Sequence, residues 1–168
     1  MPEQCIIEHC APTLAGLKTG NLVSIETESR EDADRQIREL NAVLHQKGLR
    51  AIPVKRGVRR TLIYLYRPDY LQRDLSDPLA AKILQERGYT CSNPGRCLVQ
   101  LIRQISCSEE FPHEIGLFLG YPPSDVQGFI HSPREGVQCV GTWKVYGNRD
   151  EAEKTFRRFK KCSEGYIR

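Results

Sequence analysis

Long apolar runs are what this chain most plainly lacks. Its two longest uncharged, apolar-rich stretches are Thr61–Tyr66 and Ile115–Tyr121. Both fall far short of the roughly 20 residues a helix needs to cross a bilayer, so no membrane role is expected. A basic leader segment is missing as well: residues 1–9 carry Glu3 and Glu8 and no lysine or arginine, unlike a secretory signal. The usual nucleotide and hydrolase fingerprints are also absent. Leu17-Lys-Thr-Gly-Asn21 sets lysine and threonine ahead of a glycine but does not have the GxxxxGKS/T order. No GxSxG elbow, HExxH helix or GxGxxG turn occurs. Repeats, low-complexity tracts and long polar linkers are lacking too, so residues 1–168 are expected to form a single domain.

Cysteine is present but not in a metal-binding pattern. The seven residues stand at 5, 10, 91, 97, 107, 139 and 162. An odd number without a secretory leader predicts free thiols in the cytoplasm rather than a disulfide framework. The two closest pairs, Cys5/Cys10 and Cys91/Cys97, are separated too widely for zinc-type pairs, so no metal site is expected and no cofactor is assigned. Charge is equally unassertive, with a net +4 and a pI near 8.7. Basic residues crowd at Lys55, Arg56, Arg59 and Arg60 and again at Arg157, Arg158, Lys160 and Lys161. They are read as solvated faces, and nucleic-acid binding is not expected.

The patterns that are present predict an α+β domain. Glu3 to Cys10 reads as a short helix ended ahead of Pro12, and Asn21 to Thr27 as a strand. Ser29 with Asp32 resembles a capping box in front of Ala33, Ile37, Leu40 and Leu44, with Gly48 closing the helix. Leu49–Val54 and Thr61–Tyr66, joined by Lys55–Arg60, predict a hairpin whose second strand is apolar on both faces and therefore central. Further helices are expected from Asp77-Pro78 to Gly88, from Asn93-Pro94 onward, over 112–119, over 123–131 and after Asn148, where Glu151 completes a second capping box. One more strand is expected over Cys139–Tyr146. The hairpin forces antiparallel pairing, so a small mixed or antiparallel sheet of about four strands, with helices packed on it, fits best.

Three segments form a recognisable set: Cys10-Ala-Pro-Thr-Leu-Ala-Gly-Leu-Lys-Thr-Gly-Asn-Leu22, Phe111-Pro-His-Glu-Ile-Gly-Leu-Phe-Leu-Gly-Tyr-Pro-Pro123, and Trp143-Lys-Val-Tyr146. Together they resemble an uncharacterised bacterial domain-of-unknown-function family over nearly the whole chain. The resemblance implies a single cytosolic domain, in a redox- or iron-linked setting, and no established activity. It also marks one departure: where such proteins often carry a second cysteine two residues beyond Cys139, this chain has Gly141, which removes a CxC pair.

Chemistry-bearing residues cluster in the same segments. Cys10 as nucleophile, His113 as base and Glu114 as the group orienting the ring would make a thiol-dependent enzyme or redox protein. Buried structural roles compete for all three. The leading expectation is a domain that binds a small ligand or a protein partner in a cleft, with Thr13, Lys18, Tyr121, Lys144 and Tyr146 contributing beside Cys10, His113 and Glu114. On a strand, Trp143 and Val145 would share one face and Lys144 and Tyr146 the other; with Trp143 inward, Lys144 and Tyr146 point to solvent or a cleft.

Overall fold

Residues 2–90 and 93–167 are described by a computed structural model of the protein. Eight α-helices, one 3-10 turn and five strands succeed one another along them: α1 Pro2–Leu14, β1 Gly20–Glu26, α2 Arg30–Leu44, the turn His45–Lys47, β2 Arg50–Arg56, β3 Arg60–Tyr66, α3 Pro68–Leu75, α4 Pro78–Glu86, α5 Pro94–Cys107, α6 Ile115–Phe118, α7 Pro123–His131, β4 Cys139–Val140, β5 Lys144–Val145 and α8 Arg149–Ile167. None of these helices is long and apolar enough to cross a membrane.

The fold is α+β, built on a three-stranded antiparallel sheet in the order β1-β3-β2. Its central strand is β3, as the two-faced apolar run predicts. Ile63 and Leu65 point into a cluster with Val23, Ile25 and Ala51 that α1 and α2 cover through Ile6, Cys10, Ile37, Leu40 and Leu44. Tyr64 and Tyr66 point the other way, into a second core shared with Leu71, Ile83, Leu101, Leu117 and Val126 of α3 to α7. The period-two alternation of a strand thus divides the molecule into helix, sheet and helix layers. Pro53 is tolerated because β2 is an edge strand, and the register slips between Pro53 and Lys55.

Local signals set most boundaries. Ser29 Oγ accepts from the Asp32 amide at 3.0 Å, while the Asp32 carboxylate accepts from the Glu28 amide at 2.9 Å. Asp77, Asn93 and Asn148 cap α4, α5 and α8 in the same way. Gly120 ends α6 in the left-handed region at φ +84° and starts the corner that Pro122-Pro123 turns into α7. Two of the hairpin cations reach across to neighbouring elements: Arg56 meets Asp34 at 2.7 Å, and Lys55 donates to the Ser108 carbonyl at 3.4 Å.

Four expectations need correction. The first helix does break at Cys10, where φ is −120°, but a further turn resumes through Leu14 with Pro12 inside it. A proline in a first turn lacks only an N–H that would have no partner there. The last expected strand, Cys139–Tyr146, is not a fourth strand of the sheet. It folds back on itself as the separate β4–β5 ribbon, with Cys139 opposite Val145. Helix α3 was not expected, because Leu71 is its only buried residue and no apolar period announces it. Finally, Cys5, Cys10, Cys107, Cys139 and Cys162 are free thiols, whereas Cys97 is disulfide-bonded, against the all-thiol expectation. Cys91 lies outside the described residues.

Candidate ligand-binding site

The short ribbon is held against α7 by one buried carboxylate. Asp125, 4% exposed, accepts from Trp143 Nε1 at 2.8 Å and from the amides of Tyr146 and Gly147 at 2.8 and 3.0 Å. This fixes Trp143 inward beside Val145, as strand alternation predicts, in a third cluster with Ala152 and Phe159 of α8. The Trp143 ring lies 4.9 Å from Tyr121 and 4.7 Å, edge-on, from Phe156. Gly141 is required here: a Cβ at this position would come within 2.3 Å of the Phe156 ring. The packing of α8 therefore explains why no second cysteine follows Cys139.

Trp143 and Asp125 are shared by two hollows. One hollow is an apolar cleft of about 470 Å³ between the segment leading into α6, helix α7 and the ribbon. Phe111, His113, Tyr121, Phe129 and Trp143 supply five of its rings, and Lys144 stands at its edge. His113 packs on Phe129 at 4.7 Å between ring centres. Lys144 lies over the same ring at 5.5 Å and donates to the Pro133 carbonyl at 2.9 Å. The other hollow, of about 380 Å³, is more polar. Lys18, Thr19, Asp74, Ser124, Asn148 and Thr155 line it beside Trp143 and Asp125.

The expected site residues divide between these places and the core. His113, Tyr121 and Lys144 come together in the cleft, and Lys18 lines the polar cavity. Thr13 is fully buried; its hydroxyl donates to Asn21, and its carbonyl accepts from Arg67 Nε at 2.9 Å. Arg67 also donates to the Leu14 carbonyl at 2.8 Å, so it terminates α1 as a cation at a helix C-terminus. Tyr146 lies against Gly128, where a Cβ would come within 2.4 Å of its ring, and its buried hydroxyl has no hydrogen-bond partner. Glu114, 2% exposed, does not orient His113. It turns inward to Arg87 at 3.4 Å, and its charge adds to burial in raising the Tyr89 phenol.

Cys10 and His113 are not brought together. Cys10 is fully buried in the cluster that α1 and α2 make with one face of the sheet, whereas His113 belongs to the cleft built by helices covering the opposite face. Burial pushes the Cys10 thiol up to about 12, a rise that Lys18 opposes and Cys5 reinforces. A thiol held protonated in this way is the reverse of an activated nucleophile.

Sequence reasoning missed Asp125, Phe129 and Asp74. Asp125 follows Pro122-Pro123 and reads as an ordinary first-turn acid, and its partners lie 18 to 22 residues downstream. Phe129, which reads as an ordinary apolar position of α7, presents its ring to the cleft. Asp74, which accepts from the buried Thr19 hydroxyl, sits on the unexpected helix α3.

Fold and geometry together define an α+β protein with an apolar cleft and a polar cavity that meet at Trp143 and Asp125. The chain belongs to the family described as a protein of unknown function (DUF3793), whose model matches residues 6–168. No curated protein and no solved structure matches it.

Proposed function

We propose that the protein binds a small, flat, largely apolar molecule in the cleft between α7 and the β4–β5 ribbon. The observation that carries this reading is the ring-lined volume itself, about 470 Å³ walled by Phe111, His113, Tyr121, Phe129 and Trp143. Small-molecule sites are typically apolar hollows of roughly 300–1,000 Å³ with a few convergent polar groups. Aromatic walls favour a planar guest through offset or edge contacts. His113 and Lys144 supply the polar groups that would orient it. Five free thiols set against one disulfide-bonded residue, Cys97, support a cytoplasmic setting only on balance.

Saturation-transfer NMR with quinoline as the probe tests the reading. Wild-type protein is expected to transfer saturation to the probe, Phe129→Ala to lose most of the effect, and Lys18→Met to keep it. Equal transfer in wild type and Phe129→Ala would sink the proposal. A protein partner is the second reading, favoured by Phe111 at 48% and Val140 at 67% exposure on the rim of the cleft. In that case Val140→Asp abolishes the association and leaves quinoline binding intact.

A further inference from the structure

The polar cavity that shares Trp143 and Asp125 with the cleft holds a cation without a counter-charge. Lys18 is 6% exposed, and its ammonium lies over the face of Tyr121, 5.6 Å from the ring centre. Among the described residues, no carboxylate and no hydrogen-bond acceptor pairs with its ammonium group. The acids that line the cavity are occupied elsewhere. Asp125 is taken by Trp143 and two backbone amides, Asp74 by Thr19 and Arg73, and the largely exposed Glu151 reaches Lys154. Burial pulls the Lys18 ammonium from 10.5 down to about 8, against a smaller opposing effect of the buried Cys10.

A largely buried ammonium without a paired charge is costly, and proteins resolve that cost with a bound anion or a neutral lysine. Two further features favour the anion. The 19-residue helix α8 begins at this cavity, so its positive end faces the same space. Ser124 and the Asn148 side chain bring donor groups to the lining.

We infer that this cavity is an anion site for the carboxylate group of a small molecule, paired one to one with Lys18. Charge balance selects a monoanion. Lys18 can balance one negative charge and no more, and with Asp74, Asp125 and Glu151 also in the lining a dianionic phosphate would be repelled more strongly than a carboxylate. The volume of about 380 Å³ admits a metabolite-sized acid rather than a peptide. The site is separate from the apolar cleft, and neither proposal depends on the other.

The test is an NMR titration of the intact protein labelled at lysine 13Cε, with sodium acetate as the probe and sodium phosphate and sodium chloride as matched-ionic-strength controls. Acetate is expected to shift the Lys18 resonance saturably and to raise its titration midpoint, while chloride does neither. Lys18→Met should keep the fold, match or exceed the wild-type Tm, and weaken acetate binding by at least tenfold as read on Asn148 and Ser124 amide shifts. Absence of a saturable acetate shift at Lys18 in the wild type overturns the inference, a result that does not depend on how the variant folds. Phosphate binding as tight as acetate overturns the charge argument, and undiminished acetate binding in Lys18→Met overturns the assignment to Lys18.

Discussion

Replacing Asp125 with alanine is the sharpest perturbation the fold offers, because one carboxylate organises both hollows. The change leaves the Trp143 indole N–H, 2.8 Å from Asp125 Oδ2 in the native protein, buried without an acceptor. It also frees the amides of Tyr146 and Gly147, which solvent near the exposed Gly147 can partly satisfy. A buried donor left unsatisfied costs roughly 1–3 kcal/mol, and bonds to a charged acceptor lie at the upper end. Summed over one dry and two partly wetted donors, the expected loss is about 3–5 kcal/mol. For a chain of this length that lowers Tm by roughly 6–20 °C. Asp125→Asn separates shape from charge. One amide face can still accept from Tyr146 and Gly147, but either it turns its NH2 towards the indole donor or it gives up those two bonds. Its cost should therefore fall between the wild type and alanine, at roughly 1–3 kcal/mol. Urea denaturation followed by circular dichroism gives the free energies. Fluorescence reports the ribbon directly, because Trp143 is the sole tryptophan. Asp125→Ala within about 1 kcal/mol of wild type would refute the claim that this residue holds the ribbon.

Lys18 and Cys10 give stability an alkaline signature. Lys18 is lowered from 10.5 to about 8, so the unfolded chain binds more protons between those values and stability should rise with pH from about 8. Cys10 is raised from 9.0 to about 12, so from about pH 9 upward stability is lost as the unfolded thiol ionises, and the two slopes oppose each other. Thermal unfolding of wild type should therefore gain stability between pH 8 and 9, and Lys18→Met should lack that gain; parallel curves for the two proteins would contradict it. Gly141→Ala places a Cβ 2.3 Å from the Phe156 ring and should cost about 1–3 kcal/mol, most of it absent in a Phe156→Ala background, as a double-mutant cycle would measure. In thiol labelling at neutral pH, the exposed Cys107 should react promptly and the fully buried Cys10 only on unfolding; fast labelling of Cys10 would show that α1 opens in the native state.

What the sequence made legible was governed by near neighbours along the chain. Caps at Ser29, Asp77, Asn93 and Asn148 act on amides two or three residues away, and the hairpin rests on two β-rich runs around one short connection. The left-handed Gly120 and the prolines after it are equally local. His113, Tyr121 and Lys144 line one hollow and Lys18 another, a division that no local pattern announces. The Cys10–His113 pairing depended on how two distinctive motifs meet in space. Sheet topology decides that question, because α1 covers one face of the sheet and the helices around His113 cover the other.

The division of the site also explains why its charged residues were hard to read. Asp125 and Lys18 are both more than nine-tenths buried, yet one is saturated by three donors and the other has no acid at all. A chain that needed only to neutralise Lys18 had carboxylates at hand, since Asp74 and Asp125 line the same cavity. Each is instead tied to a structural donor, Thr19 or Trp143, which keeps the walls rigid and the ammonium available. A preorganised cation of this kind destabilises the empty protein and favours a guest that supplies the missing charge. That trade is visible only once the partners of every neighbouring acid are known, and those partners lie up to 55 residues away in sequence.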